Sequence, residues 1–403
     1  MKELISKKRI TAFLFLLLIF GYGILNAKKE LPLLKDAVVS GWEEKQKPAE
    51  LIASIDSTIN ENVAYRYPFI DGYGLIQKLL DKNEENNFEV VKDTQGKLHY
   101  TYFTEETNDT APFAERMVNL KNSISDKNCK LLYLMPPDKY IPGYTKYARG
   151  IPYNMANETA DQFLNQLSDA GIDFIDFRDY MADGVKNGEI SYENAFFTTD
   201  HHWKIETAFW ATNVFFRQLQ ERYQENILEE AYYEELDNYN VLTYKNCFLG
   251  SQGRKAGRYY TTADDFTLIY PKFKTNYQLE SSIMDDMTLT GRFEEALLAT
   301  PVLRQTATPY DTDLYMAYMY GNQAYAHIEN KENPDGPDIC IIKDSFAVPF
   351  SAFASLRCHN VYMIDPRYYK ESIEDFINEH ELDYTLVMFS PEDLAEEFFT
   401  FGK

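Results

Sequence analysis

Cysteine and basic residues are scarce in this sequence. The 403 residues include four cysteines, Cys129, Cys247, Cys340 and Cys358, and none of them forms a Cys-x-x-Cys pair. This spacing argues against a zinc knuckle or a thioredoxin-like motif, and the count is too low for a disulfide scaffold. Lysine and arginine total 40 against 63 acidic residues, so the formal net charge is −23. Because nucleic-acid binding needs a basic surface that displaces counterions from phosphates, the acidity predicts no nucleic-acid partner.

An uncharged apolar run occupies residues 10–25 at the N-terminus. Basic residues such as Arg9 precede this run, and Lys28 and Lys29 follow it. The pattern is typical of export signals, and the positive-inside rule predicts that residues 1–9 stay in the cytoplasm while the ~375 residues after the run lie outside. The run is short for a spanning helix of ~20 residues. Because residues 25–27, Leu-Asn-Ala, form a poor cleavage site, we expect 1–27 to remain as a membrane anchor or uncleaved signal.

The pattern after the anchor predicts an α/β fold. Helical periodicity at 113–124 is followed by a short apolar strand at 131–135, and strands recur at 339–342, 361–364 and 384–389. Strands that alternate with helices indicate a mainly parallel sheet covered on both faces. The predicted segments are a polar stalk at 28–60, the first part of the α/β domain at 61–224, a β-rich insertion at 225–335, and the second part of the α/β domain at 336–403.

The predicted insertion differs in composition from the segments that flank it. It is rich in tyrosine and threonine, and it contains strand-like runs at 266–270 and 314–320. These residue types favour strands. We therefore predict that 225–335 adds β-structure to the α/β core.

The densest cluster of polar residues lies at 198–203, with the sequence Thr-Thr-Asp-His-His-Trp, at the start of a predicted amphipathic helix. A carboxylate next to a histidine can fix the imidazole tautomer, so that the imidazole acts as a general base. The alternative is that Asp200 or Thr199 caps the helix while a histidine packs in the core.

Ser345 follows the predicted buried strand at 339–342 and precedes a predicted helix. The carboxyl end of a strand in an open α/β sheet is a typical position for a nucleophile. The N–H groups of the following helix can stabilise an oxyanion. The alternative is that Ser345 only caps the helix. Because a serine hydroxyl needs a base to take its proton, the Asp-x-His segment and Ser345 together predict a Ser–His–Asp triad.

These two segments resemble the DHHW family of bacterial cell-surface proteins. The resemblance rests on Asp-His-His-Trp at 200–203 together with Lys-Asp-Ser-Phe at 343–346. That family is similar to the SGNH-like alginate O-acetylation proteins of bacteria. The resemblance implies an SGNH-hydrolase-like three-layer sandwich in which Ser345 is the nucleophile, His202 the base and Asp200 the orienting acid. The choice of His202 rests on the Asp-x-His spacing.

The resemblance also implies a function. It indicates an extracytoplasmic O-acyltransferase, with acetyl as the expected group, that acts on a cell-surface or secreted polysaccharide without a metal or cofactor. The implied partner is a membrane-bound O-acyltransferase that exports the acyl group. Two alternatives stay open: a carbohydrate acetyl esterase with the same triad, and a non-catalytic polysaccharide-binding or assembly protein. A metal-dependent phosphoesterase would need further Asp and His ligands for which the sequence gives no convincing set.

Three further residues are candidates for contacts with the oxyanion or the substrate. Arg367 follows the predicted strand at 361–364, and its alternative role is a surface ion pair. Asn322 lies in a Tyr-Gly-Asn segment, and its alternative role is that of a turn residue. Trp203 follows the two histidines, where its ring would stack on a sugar if it were exposed. The alternative for Trp203 is packing in the core.

Overall fold

The computed structural model describes residues 2–43, 47–85, 87–126, 128–223, 230–283, 288–304 and 312–403. The chain divides into two compact units, Met1–Ile76 and Gln77–Lys403. Residue 225, the predicted start of the insertion, lies outside the described residues. The helices are α1 Lys2–Glu43, α2 Pro48–Asn62, α3 Arg66–Leu79, α4 Ala111–Ser123, α5 Ala156–Asp169, α6 Phe177–Asn187, α7 Tyr192–Ala195, α8 Ile205–Tyr223, α9 Glu230–Glu234, α10 Ser251–Ala256, α11 Phe293–Ala296, α12 Ala347–Ala354 and α13 Ile373–Glu379.

The strands are spread along the second unit. They are β1 Glu84–Glu85, β2 Val90–Lys92, β3 Leu98–Tyr100, β4 Lys130–Met135, β5 Asp173–Asp176, β6 Tyr239–Phe248, β7 Asp264–Pro271, β8 Tyr277–Ser281, β9 Thr288–Gly291, β10 Tyr325–Asn330, β11 Ile339–Lys343, β12 Asn360–Ile364 and β13 Tyr384–Met388.

The N-terminal unit is helical. Among the described residues, one helix is long and apolar enough to cross a membrane, within Lys7–Trp42. The following helix α2 packs along α1. The segment between α2 and α3 also contacts α1, because Tyr22 Oη donates a hydrogen bond of 2.7 Å to the carbonyl of Ala64.

The second unit is built on an eight-stranded sheet with the order β5-β4-β13-β11-β12-β10-β8-β9. The strands β5, β4, β13, β11 and β12 are parallel to one another, as predicted. The strands β10, β8 and β9 continue the sheet in antiparallel orientation. Three strands from the tyrosine-rich segment therefore extend the central sheet, and β6 and β7 form a separate pair.

Strand β11 shows why the centre of the sheet is parallel and buried. Its residues alternate between two hydrophobic clusters: Ile339 and Ile341 pack on one face of the sheet, and Cys340 and Ile342 pack on the other. All four side chains have no exposed surface. A strand covered on both faces has no polar side to alternate with, which gives the continuous apolar run in the sequence.

The predicted strand at 314–320 is wrong. This segment forms a short 3-10 helix, Leu314–Ala317, and positive φ angles follow at Met319 and Tyr320. The Asp313 side chain accepts a hydrogen bond from the N–H of Tyr315, which starts the turn. The apolar residues of the run pack in the core without the two-residue alternation that a half-buried strand requires.

Candidate active site

The structure brings Asp200, His202 and Ser345 together in one hydrogen-bonded chain. His202 Nε2 lies 2.6 Å from Ser345 Oγ, and His202 Nδ1 lies 2.5 Å from Asp200 Oδ1. Asp200 is 1% exposed and His202 is 7% exposed, whereas Ser345 is half-buried. The ring of the neighbouring His201 does not join this chain, because its Nδ1 lies 2.9 Å from Ser251 Oγ. The arrangement is that of a nucleophile, a base and an orienting acid.

The turn after β11 fixes the position of Ser345. The Asp344 carboxylate accepts hydrogen bonds from the N–H of Phe346 at 2.8 Å and from the N–H of Ser390 at 2.6 Å. These bonds tie the turn after β11 to the loop after the neighbouring strand β13. Among the described residues, the N–H of Ser345 itself has no protein partner, so it is available to an oxyanion that forms beside Oγ.

Asp200 is held by backbone donors on both sides. Its Oδ1 accepts the backbone N–H of His202, and its Oδ2 accepts the N–H of Ser251 at 2.6 Å. Burial alone would raise the pKa of Asp200, but electrostatic attraction to the His202 and His201 rings and these hydrogen bonds hold it well below its usual range. Asp200 therefore stays ionised and can stabilise an imidazolium on His202.

The approach of Asp200 to the loop before α10 requires a glycine. A Cβ atom at Gly250 would lie 2.2 Å from Asp200 Cβ and 2.4 Å from Asp200 Oδ2. Gly250 has φ −69°, which any residue can adopt, so the requirement is steric rather than conformational.

We expect Gly250→Ala to lower the reactivity of the Ser345 hydroxyl toward acyl esters by on the order of 10²-fold, because the methyl group displaces the carboxylate that orients His202. Steady-state turnover of an activated acetyl ester measures this loss. Gly72→Ala is the control, since a Cβ at that helical position meets nothing within 4 Å. Full activity in Gly250→Ala would contradict a role for the Asp200 position.

Two aromatic residues support the imidazole and the serine turn. The Tyr315 ring stacks on His202 with a centroid distance of 3.8 Å and an interplanar angle of 11°. This contact fixes the plane of the imidazole, and sequence analysis missed it because no local pattern marks Tyr315. Trp203 has no exposed surface, and its Nε1 donates to the carbonyl of Phe346. The stacking of Trp203 on a sugar required an exposed ring. The ring is instead part of the core, which is the alternative that the sequence left open.

Arg367 and Asn322 lie in one polar cluster at the carboxyl ends of β11 and β12. The buried Lys343 donates to Asn322 Oδ1 at 2.8 Å and to Asp365 Oδ2 at 3.0 Å. Arg367 makes a two-point ion pair with the same Asp365 carboxylate. Within the described ranges, neither Arg367 nor Asn322 hydrogen-bonds a side chain of Asp200, His202 or Ser345. Their roles toward an oxyanion stay predictions.

A cleft of about 740 Å³ opens near this cluster. Its lining includes Tyr100, Tyr102, Asn154, Lys255 and Arg367. A small neighbouring pocket shares Tyr100 and Asn154 with the cleft and reaches His201 and Phe346, which flank the Asp–His–Ser chain. The cleft therefore adjoins residues that flank the reactive groups. It combines aromatic faces and amide groups with basic side chains and with the acidic Glu89, Glu392 and Glu397.

Lys139 hydrogen-bonds the backbone of the segment that carries Asp200. Its Nζ donates to the carbonyl of Asp200 at 2.6 Å and to Gln252 Oε1 at 2.9 Å, and it is 7% exposed. Burial lowers the pKa of Lys139 to about 7. The Lys139 side chain thus connects the 200–203 segment to helix α10. The first residue of α10, Ser251, donates its N–H to the Asp200 carboxylate.

His99 gives the second unit a pH-dependent stability. It is 2% exposed and lies 3.1 Å from Asp93 Oδ2 through Nε2, and burial lowers its pKa to about 4. In the unfolded chain the pKa is near 6.5. At a pH between these two pKa values, His99 is protonated in the unfolded chain but not in the folded one. The free energy of unfolding therefore falls as the pH falls. The expected loss is up to about 3 kcal/mol.

Denaturant unfolding between about pH 7 and pH 4 measures this dependence. We expect His99→Gln to lose less stability than the original chain over the same interval. The lowered pKa of His201 contributes in both proteins, so the difference between them reports His99 together with Asp93, whose lowered pKa depends on the contact with His99. Equal pH dependence in the two proteins would contradict the assignment.

The described residues include one group with the spacing of metal ligands, formed by Asp200, His201 and His202. Both ring nitrogens of His202 are already engaged, one with Asp200 and the other with Ser345. A metal bound to this group would have to break the hydrogen-bonded chain. The geometry therefore fits acyl chemistry better than metal binding.

Comparisons with known proteins agree with the motifs. Residues 185–364 match the DHHW protein family, and residues 98–239 match the SGNH hydrolase-like domain described for the acetyltransferase AlgX. The resemblance to the DHHW family is confirmed, and the two matches include the segment that carries Asp200 and His202. No curated protein matches the sequence.

Solved structures share the fold. PatB1 of Bacillus cereus, in a structure with a sulfonyl adduct, is similar with a TM-score of 0.62 and 19% identity, over 78% of this chain and 98% of that chain. A DHHW family protein of Eubacterium siraeum has a TM-score of 0.58 and 19% identity, over 78% of this chain and 94% of that chain. The predicted SGNH-like α/β fold is confirmed.

Proposed function

We propose that this protein is a membrane-anchored, extracytoplasmic O-acyltransferase that transfers an acetyl group to a polysaccharide hydroxyl through a covalent ester on Ser345. The observation that carries the proposal is the hydrogen-bonded chain from Asp200 through His202 to Ser345. Support also comes from the family match to an acetyltransferase domain over residues 98–239.

The first half-reaction forms the acyl-enzyme. Ser345 Oγ attacks the acyl carbonyl while His202 Nε2 takes the hydroxyl proton, and Asp200 stabilises the resulting imidazolium. The Ser345 N–H faces the oxygen that becomes negatively charged. As the bond to the donor breaks, His202 returns the proton to the leaving group, and the acyl group stays on Ser345.

The second half-reaction regenerates the serine. A sugar hydroxyl gives its proton to His202 and attacks the ester carbonyl, and the Ser345 oxygen leaves and regains the proton. The cleft lined by Tyr100, Tyr102 and Arg367 is the proposed place for the acceptor. Aromatic faces and hydrogen-bonding side chains suit a neutral saccharide.

The N-terminal helix gives the proposed location. Its apolar segment, with basic residues on the predicted cytoplasmic side, fits a retained anchor that places the second unit outside the cell. The acyl donor is proposed to come from a membrane-bound O-acyltransferase, the partner that the family resemblance implies.

A two-part assay tests the proposed function. The full chain is incubated with an activated acetyl ester and a set of oligosaccharides, and acetyl groups are measured on the sugars and as free acetate. Acetylated sugar supports the transferase. Free acetate alone would show an esterase with the same triad.

A serine-reactive sulfonyl reagent provides an independent readout, since PatB1 was solved with a sulfonyl adduct. Such electrophiles label an activated hydroxyl. We expect one label on Ser345. Saccharide binding without labelling, unchanged in Ser345→Ala, would show a non-catalytic binding protein and overturn the proposal.

A further inference from the structure

Helix α3 exposes apolar side chains on one face. The spacing of four and three residues puts Phe69, Tyr73 and Ile76 on one side of α3, and the exposed Tyr65 directly precedes the helix. More than half of each side chain is exposed, with values of 65% for Tyr65, 60% for Phe69, 53% for Tyr73 and 55% for Ile76. The polar Asp71, on the opposite side, is only 2% exposed. A surface helix of a water-soluble protein shows the reverse distribution.

Contacts with helix α1 place the start of α3 relative to the predicted membrane anchor. The Tyr22 hydroxyl donates to the carbonyl of Ala64 at 2.7 Å, and the N–H of Ala64 donates to Asn26 Oδ1 at 2.7 Å. The ring of Tyr22 also meets Phe69 edge to face, with a centroid distance of 5.8 Å. Tyr22 belongs to the apolar run at 10–25, and Asn26 follows that run directly. The start of α3 therefore lies beside the outer end of the predicted anchor.

The same contacts pair backbone groups that would be costly to leave unpaired in lipid. The helical backbone is interrupted between α2 and α3, where Tyr65 has a φ of 60°. Breaks of this kind leave backbone groups without helical partners, which is costly where water is excluded. Here both backbone groups of Ala64 bond to side chains of α1. Tyr22 and Asn26 thus pair the backbone groups of the junction between α2 and α3, which lies beside the end of the apolar run.

We propose that residues 65–76 lie in the outer interface of the lipid bilayer, beside α1, with Tyr65, Phe69, Tyr73 and Ile76 in contact with lipid. Tyrosine is favoured at this depth because its ring is apolar and its hydroxyl reaches water. Helices with one apolar face bind in the interface plane in this way. The inference rests on the anchor of the proposed function and not on the triad.

Tryptophan fluorescence in vesicles tests the proposal. Phe69→Trp and Ile76→Trp are made in a Trp42→Phe background, and the full chain is reconstituted in phosphatidylcholine vesicles with or without bromine on the acyl chains. The background chain keeps the buried Trp203 and Trp210, so its spectrum in the same vesicles is subtracted from that of each variant. We expect blue-shifted emission that brominated lipid quenches by about half, since interfacial helices bury ~5–10 Å into the boundary. Asp56→Trp, at an exposed position of α2, is the control and should not be quenched.

A second variant tests the role of the contacts with α1. Tyr22→Phe combined with Asn26→Leu removes both partners of Ala64 and should reduce the quenching at Ile76→Trp while the chain stays in the vesicle fraction. Water-like emission at positions 69 and 76 would overturn the proposal. Blue-shifted emission without quenching would also overturn it, because another protein or a second copy would then cover the face.

Intact mass of the reconstituted chain shows whether α1 is retained. Removal of α1 would overturn both the anchor and this inference. If α1 is retained, the quenching result does not depend on acyl-transfer activity, so failure of the interface proposal and failure of the proposed chemistry give different outcomes.

Discussion

Replacing Ser345 with alanine is expected to lower acyl-transfer turnover by roughly 10⁴–10⁶-fold, the loss that accompanies removal of a catalytic serine in comparable triads. The reason is chemical: without Oγ no ester forms, and His202 has no hydroxyl to deprotonate at 2.6 Å. The fold should persist, because Ser345 is a half-buried turn residue rather than part of the core. Turnover of an activated acetyl ester and the far-UV circular dichroism of the variant are measured together.

The control for this variant is Ser351→Ala. Ser351 lies on the adjoining helix α12, is fully buried, and is not part of the hydrogen-bonded chain. We expect it to keep near-normal turnover. If Ser345→Ala were as active as Ser351→Ala, the hydroxyl of Ser345 would not be the nucleophile.

The second large effect is expected for Asp200→Asn, with a loss on the order of 10³–10⁴-fold. Asp200 uses both carboxylate oxygens as acceptors, Oδ1 toward His202 and Oδ2 toward the N–H of Ser251. An amide offers only one acceptor. If its oxygen faces His202, its NH₂ group opposes the Ser251 N–H. If it is flipped, the NH₂ group faces Nδ1 and favours the wrong imidazole tautomer.

Asp265→Asn is the matched control, because this partly exposed carboxylate pairs with Lys245 away from the site. Its turnover should equal that of the original chain. Turnover of Asp200→Asn within about tenfold of the original would show that Asp200 acts only as a structural cap, which is the alternative that the sequence leaves open.

The α/β core was predictable because it depends on local periodicity. The run at 339–342 is apolar on both faces, and the structure buries it between two clusters at the centre of the sheet. Ser345 then follows from topology, since the residue after a parallel strand lies at the edge of the sheet where neighbouring strands also end. The contact of Ser345 with His202 was predicted on other grounds, namely the need of a serine for a base and the Asp-x-His spacing of the resembled family.

Other parts of the site depend on contacts between segments far apart in sequence. Tyr315 stacks on His202 from a 3-10 helix that the sequence pattern suggested to be a strand. Gly250 admits the Asp200 carboxylate for a purely steric reason, which no spacing rule expresses. Trp203 was expected to be a possible sugar contact, but its indole is buried and holds the start of α12.

The N-terminal region shows the same limit. Hydropathy predicts the apolar segment of α1, but the bonds from Tyr22 and Asn26 to Ala64 join residues about forty positions apart. Only the folded arrangement shows that these two polar side chains serve the junction between α2 and α3. In the proposed arrangement, the apolar face of α3 is exposed in the protein because it contacts lipid beside α1.

Mapping of the acylated residue tests the central claim most directly. The full chain is mixed with an activated acetyl ester, quenched in acid and analysed by peptide mass spectrometry, alongside His202→Ala. The account predicts one acetyl group, on Ser345, that forms rapidly in the original chain and is nearly lost in His202→Ala. Acetylation at another residue, or equally fast acetylation of Ser345 without His202, would contradict it.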